Sequence, residues 1–287
     1  MALKIKFGVS TWLWTSPFST SSIEEIFPKI SRMGYDVVEI ALEDPSLIDV
    51  NVLKEGLHKY NLQPIICGAF GPTRDFTHED EAVHNNCFNY VEACLNLCVD
   101  LNTNFFAGPM YSAVGKARMV SAEQRKNEWR LAVKNIRKVC EMASDRKLKI
   151  ALEPLNRFES DLVNTVEDVV RLIKDIDHPA ANIMLDGFHM NIEERDIEKA
   201  IVLAGNKLIH MQVSENYRGT PGTGQTNWAA YKKGLEKIQY TETVSIESFT
   251  PVNKELAGAV CFWHPMADNQ DDFASEGLAF LKKWAHD

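Results

Sequence analysis

From residue 5 to the last helix, short apolar runs rich in β-branched residues alternate with longer stretches whose apolar residues recur every three to four positions. This alternation is the strongest constraint on the fold. Strands joined through intervening helices pair in parallel, and a parallel sheet needs both faces covered. Eight such units can be counted. Strands are expected over Ile5 to Thr11, Val37 to Leu42, Pro64 to Ala69, Thr103 to Ala107, Lys149 to Glu153, Asn182 to Asp186, Lys207 to Val213 and Thr243 to Ser248. The first helix begins near Ser22, which forms an expected capping box with Glu25; Ile23, Ile26, Phe27, Ile30 and Met33 give its inward stripe, and Gly34 stops it. A sixth helix is expected over Ile192 to Ala204, and a loop with Trp263 and His264 precedes a last helix over Asp272 to Trp284.

No linker, charge run or low-complexity segment interrupts the series, so residues 1–287 are read as one (β/α)8 TIM barrel. That fold typically spends about 250 residues on a single domain, and its active sites lie at the C-terminal ends of the strands.

A net charge of −9 argues against nucleic acid as a partner, because such binding relies on lysine and arginine releasing counterions from phosphates. The six cysteines show no paired framework, which points to buried thiols in a reducing, cytoplasmic setting. The N-terminal stretch lacks the apolar core and cleavage site of a signal peptide, and no run reaches the roughly 18 apolar residues of a membrane span.

Three of the expected strands end in carboxylates: Glu153, Asp186 and Glu247. On neighbouring strand ends they would repel one another by several kcal/mol at an effective dielectric of about 20, a penalty that a cation removes. Strand seven adds Gln212, whose carbonyl oxygen is the natural fourth ligand; alternation puts His210, Gln212 and Ser214 on one side of that strand. Oxygen ligands favour magnesium or manganese over zinc.

The segments Glu-Pro-Leu-Asn-Arg-Phe-Glu at 153–159, Leu-Asp-Gly-Phe-His-Met-Asn-Ile-Glu-Glu at 185–194, and Glu215 with Asn216, Arg218, Pro221, Gly222 and Gly224 carry a resemblance. It extends over essentially the whole chain, including Gly8 and the Tyr111-Ser112 loop. The sequence resembles the ketose 3-epimerases, the tagatose and allulose (psicose) 3-epimerases of the xylose isomerase-like barrels. The resemblance implies that Glu153, Asp186 and Glu247 bind a divalent metal (Mn2+, Mg2+ or Co2+). It also implies that Glu159, His189 and Arg218 contact a small sugar, and that the assembly is a homodimer or homotetramer. One position departs: where the epimerases place a metal-binding histidine on strand seven, this chain has Gln212, as in the hydroxypyruvate and 2-oxo-tetronate isomerases of the same superfamily.

Such ligands predict a cation that polarises a ketose carbonyl, with Glu153 and Glu247 as catalytic groups that remove the C3 proton from one face and return one on the other. A single base moving a proton between C1 and C2 would instead interconvert aldose and ketose. Trp14, Phe70, Phe249 and Trp263 are candidates for an apolar wall around the sugar. The glycine-rich loop from Gly219 to Gly224 lies where many barrels bind phosphate, yet Arg218 is its one basic residue. A zinc-dependent DNA-repair endonuclease of the same superfamily is opposed by the acidic charge and the shortage of strand-end histidines. An idle sugar-binding barrel is the remaining alternative.

Overall fold

All eight expected strands form, and they close on one another in sequence order, β1 to β8, with every pairing parallel. The computed structural model describes residues 2–287. The strands are β1 (Lys6–Ser10), β2 (Val37–Leu42), β3 (Gln63–Gly68), β4 (Phe105–Gly108), β5 (Lys149–Leu152), β6 (Ala181–Asp186), β7 (Leu208–Val213) and β8 (Thr243–Ile246). Helices α1 (Ile23–Met33), α2 (Val50–Lys59), α3 (Glu81–Asp100), α4 (Ala122–Asp145) and α5 (Val166–Ile176) follow the first five strands. They are completed by α6 (Gly187–Glu193), α7 (Ile197–Ala204), α8 (Trp228–Lys237), α9 (Lys254–Ala259) and α10 (Gln270–His286).

Strand alternation divides the core in two. Val9, Val38, Ile40 and Leu42 face outward and pack with the helix stripes, Ile26, Phe27 and Ile30 of α1 among them. Val37, Ile65, Cys67, Ala107, Ala151 and Met184 fill the barrel interior. The register shifts between Ile183 and Met184, which pair with Leu208 and His210, so Ile209 is an extra residue in β7. This bulge lets both Ile209 and His210 reach the interior before alternation resumes with Met211 outside and Gln212 inside.

Three sequence expectations are corrected. The capping box at Ser22 does not form: a 3-10 turn over Thr20–Ser22 leads straight into α1, leaving Ser22 helical with no side-chain cap. The helix expected over Ile192 to Ala204 is two helices, because Asp186 caps α6 by accepting from Phe188 N at 2.9 Å and Asp196 starts α7 by accepting from Lys199 N at 3.0 Å. The loop before the last helix holds α9, capped by Asn253 Oδ1 on Glu255 N and Leu256 N, both at 3.0 Å.

Candidate active site

The C-terminal ends of the strands surround a cavity of about 600 Å³, and Glu153, Glu159, His189, Gln212, Arg218 and Glu247 all line it. Asp186 sits just beneath, with no exposed surface. Glu153 and Glu247 each follow the last residue of their strand, Asp186 ends β6, and Gln212 is the penultimate residue of β7. The structure therefore brings every sequence-predicted site residue to one barrel mouth.

Asp186 divides its oxygens. Oδ1 caps α6, while Oδ2 receives Arg218 Nη1 at 2.5 Å; the same nitrogen donates to Glu247 Oε2 at 2.8 Å. The guanidinium lies between the rings of Phe188 and Phe249, 4.2 and 5.0 Å from their centroids. Arg218 holds φ at +64°, a left-handed conformation that bulky residues rarely adopt. Its loop is organised by Glu215, whose carboxylate accepts from Gly222 N at 2.7 Å, Thr226 N at 3.1 Å and Trp228 Nε1 at 2.8 Å. The Gly222 N–H, a backbone donor of the glycine-rich loop, is thus already bound to a carboxylate of the protein, which also places a negative charge where a phosphate would sit. Ser248 Oγ donates to Arg218 O at 2.7 Å and fixes the loop from the end of β8.

His189, on α6, accepts at Nδ1 from Asn156 N at 3.1 Å. A backbone N–H can only donate, so this bond puts the ring hydrogen of the neutral imidazole on Nε2, which faces Glu153 Oε1 at 3.6 Å and Asp186 Oδ2 at 3.7 Å; Arg218 Nη2, the competing donor, is 3.4 Å away, a longer and weaker contact than the 3.1 Å bond at Nδ1. Burial holds His189 below its ordinary pKa, which keeps it neutral. Asn156 Nδ2 also donates to Glu159 Oε1 at 2.8 Å, and Gly115 N donates to Glu159 O at 2.7 Å, so the loop after β5 is tied to its neighbour.

Burial and then the neighbouring Glu247 and Asp186 charges push the Glu153 pKa well above the ordinary carboxylate range. Glu247 is raised well by burial, against the pull of Arg218. For Asp186, burial acts upward, but Arg218, His189 and the Phe188 N–H outweigh it and hold the group below its ordinary value.

These residues fit a divalent cation. Glu153, Asp186 and His189 offer ligand atoms within 4.8 Å of one another, and Glu247 shares the Arg218 nitrogen with Asp186. Gln212 Nε2 is spent on Glu39 Oε1 at 2.5 Å and Glu247 Oε1 at 2.9 Å, whereas its Oε1 is buried and finds no hydrogen-bond partner among the described residues. An orphaned amide oxygen beside three carboxylates is a donor set for a hard cation. Glu39 is the site residue that sequence reasoning missed: a lone acid inside the run Val37-Val38-Glu39-Ile40, it could have been found as a charge in mid-strand.

The apolar wall differs from expectation. Phe70 and Phe249 line the cavity with Trp12, but Trp14 and Trp263 do not. A 3-10 turn over Thr11–Leu13 swings Trp14 outward, where its Nε1 donates to Asp271 Oδ1 at 2.7 Å, and Trp263 is 71% exposed.

The closed parallel barrel with its chemistry at the strand ends defines a class, and sequence comparison places the chain within it. The chain belongs to the xylose isomerase-like TIM barrel family, whose model matches residues 27–284, and within it to the ketose 3-epimerases. It is 34% identical over 280 residues to a probable ketose 3-epimerase of Synechocystis sp., covering 98% of this chain and 96% of that protein. It is also 29% identical to an L-ribulose 3-epimerase of Methylomonas sp., covering 98% of both chains. A crystal structure of a D-allulose 3-epimerase from Methylomonas sp. in complex with D-allulose superposes with a TM-score of 0.90 at 29% identity, covering 99% of each chain.

Proposed function

We propose that this sugar epimerase is a metal-dependent ketose 3-epimerase acting on an unphosphorylated sugar. The observation that carries the reading is the placement of Glu153 and Glu247 on one cavity with His189 and Arg218, in a chain similar over its length to ketose, L-ribulose and D-allulose 3-epimerases. Glu153, Asp186, Gln212 and Glu247 would hold the cation, Mn2+, Mg2+ or Co2+. Bound there, it would draw electron density from the ketose carbonyl and so acidify the adjacent C–H bond.

Inversion at C3 needs one ionised carboxylate and one that carries a proton. In the metal-free protein burial raises both Glu153 and Glu247, with the Glu247 charge adding to the rise at Glu153, so the site is built to hold a proton on one of the two. The ionised member removes the C3 proton from one face. The electron pair moves onto the C2 oxygen, and the protonated member returns a proton to the other face. His189 Nε2–H and the Arg218 guanidinium orient the oxygens of C1 and C2 and meet the negative charge that develops there. Glu159, held by Asn156, accepts from a substrate hydroxyl. A free sugar is favoured because Glu215 already occupies backbone donors of the loop after β7.

Gln212 favours a second reading, aldose–ketose isomerisation of the hydroxypyruvate or 2-oxo-tetronate isomerase type. Proton exchange separates the two. A ketohexose incubated with the metal-loaded enzyme in deuterium oxide should exchange its C3 hydrogen by NMR; exchange confined to C1 would overturn the epimerase reading. The free cysteines, five of them buried, support a reducing cytoplasmic setting, and among the described residues no helix is long and apolar enough to cross a membrane. The assembly proposed from the family is a homodimer or homotetramer.

A further inference from the structure

At and beneath the cavity floor, three buried residues from opposite sides of the barrel form a chain of short hydrogen bonds. Glu39 on β2 reaches across the axis to β7, where His210 Nε2 lies 2.6 Å from its Oε2 and Gln212 Nε2 donates to its Oε1 at 2.5 Å. Glu39 and His210 are fully buried and Gln212 is 1% exposed. Glu39 does not line the cavity, and neither the sequence motifs nor the proposed proton transfers give it a role.

A carboxamide is nearly symmetric in shape, and either end can face a neighbour. If it were turned over, Gln212 would aim its oxygen at two carboxylates, Glu39 and Glu247, and its NH2 at the cation position. With Glu39 and Glu247 both accepting from Nε2, only one orientation is satisfied, and Oε1 is left free and buried. Glu247 cannot do this alone, because Arg218 draws on its other oxygen and a bound cation competes for the group. Glu39 differs in that it does not line the cavity where the cation would bind, and His210 holds its second oxygen in place.

We propose that Glu39 is a positioning residue: anchored by His210, it locks the Gln212 carboxamide so that its oxygen faces the cation and completes an all-oxygen ligand set. The inference rests on the reading of the strand-end cluster as a cation site. It gives the glutamine at this position a partner that fixes which end of its amide faces the cation.

The test is calorimetric titration of the metal-free full-length protein with Mn2+, and separately with Mg2+. Glu39→Met, which keeps the volume and removes both acceptors, should weaken cation binding by roughly ten- to hundredfold, the usual range for losing a partner that orients a ligand. Glu39→Gln keeps one oxygen for Gln212 Nε2 and should recover most of the affinity. Ile65→Val is the control for a mere disturbance of the barrel interior: Ile65 packs there without a polar atom and away from the cavity, and its affinity should match the wild type. Should Glu39→Met not fold, His210→Phe leaves Glu39 in place but unheld and should weaken binding several-fold. Wild-type affinity in both Glu39→Met and His210→Phe, with Gln212→Met impaired, overturns the proposal. Equal losses in Ile65→Val and Glu39→Met do the same. A wild-type protein that binds neither cation overturns the metal-site reading itself, a different result from a wild type that binds and a Glu39 variant that binds equally well.

Discussion

At the barrel mouth, β5 to β8 deliver Glu153, Asp186, Gln212 and Glu247, whereas on the other arc β1, β3 and β4 end in Ser10, Gly68 and Gly108 and only β2 carries acids, Glu39 within the strand and Glu43 just after it. One half gathers buried charge that needs a counterion. The other supplies room and a wall. A Cβ on Gly108 would stand 2.9 Å from Gly68 O, and one on Gly68 would stand 2.5 Å from the Phe106 ring, so the two glycines let β3 and β4 approach where side chains would collide. The contrast teaches that a symmetric barrel can keep its chemistry on one arc, provided that the opposite arc gives up side chains to make space.

The largest effect should come from the charged half. Glu247→Gln and Glu153→Gln each remove a proton-transfer group, which typically contributes about 10²- to 10⁴-fold, so kcat should fall by that order while ketose binding persists. Steady-state turnover with binding by calorimetry checks this. A comparable loss of kcat from a change at the mouth ends of β1, β3 or β4 would break the division.

Gly108→Ala probes that arc. Gly108 sits at φ +137°, so alanine there adds backbone strain to the contact with Gly68 O. Strain of this kind costs about 1–3 kcal/mol. Denaturant unfolding should show that loss, while kcat per folded molecule stays within a small factor of the wild type.

A third expectation concerns pH. In the metal-free protein Glu153 and Glu247 lie above their ordinary value of 4.5, so the folded state favours their protonated forms. The stability they contribute is complete below 4.5 and is lost as pH rises through their raised values. Asp186, depressed from 3.8, acts oppositely: its contribution is present above 3.8 and disappears as pH falls through its lowered value. With chelator present, Tm should therefore decline as pH climbs from 4.5 toward neutrality. Added Mn2+ favours the ionised carboxylates and should flatten or reverse the slope. An equal decline with and without the cation would show that the cluster does not bind it.

The eight strands were legible because a parallel strand covered on both faces must be an apolar run, and each run survives inspection one residue at a time. Glu153, Asp186 and Glu247 were legible for the same reason, since each marks where such a run stops. Glu39 was not, because a charge in mid-strand acquires meaning only from β7 on the far side of the barrel, 171 residues away from His210 in sequence. Ser22 and Trp14 failed locally: in both places a 3-10 turn, which leaves no distinctive periodicity in three residues, redirected the chain. The bulge at Ile209 was equally silent, since one inserted residue leaves an apolar run apolar.

The smallest effect is expected at Asn156, where the charged arc meets the loop after β5. Its amide group donates to His189 Nδ1 at 2.8 Å and to Glu159 Oε1 at 2.8 Å, but its backbone N–H reaches the same Nδ1 at 3.1 Å. Asn156→Ala removes the first two bonds and leaves the third, which by itself keeps the hydrogen of His189 on Nε2. Losing a hydrogen bond of this kind costs about 1 kcal/mol, so KM should rise roughly five-fold through a looser Glu159 and His189. The pH dependence of kcat should not move, because Glu153 and Glu247 are untouched. A shifted profile in Asn156→Ala would mean that the side chain, not the backbone, sets the tautomer, and would extend the charged arc one loop further than the strand ends that define it.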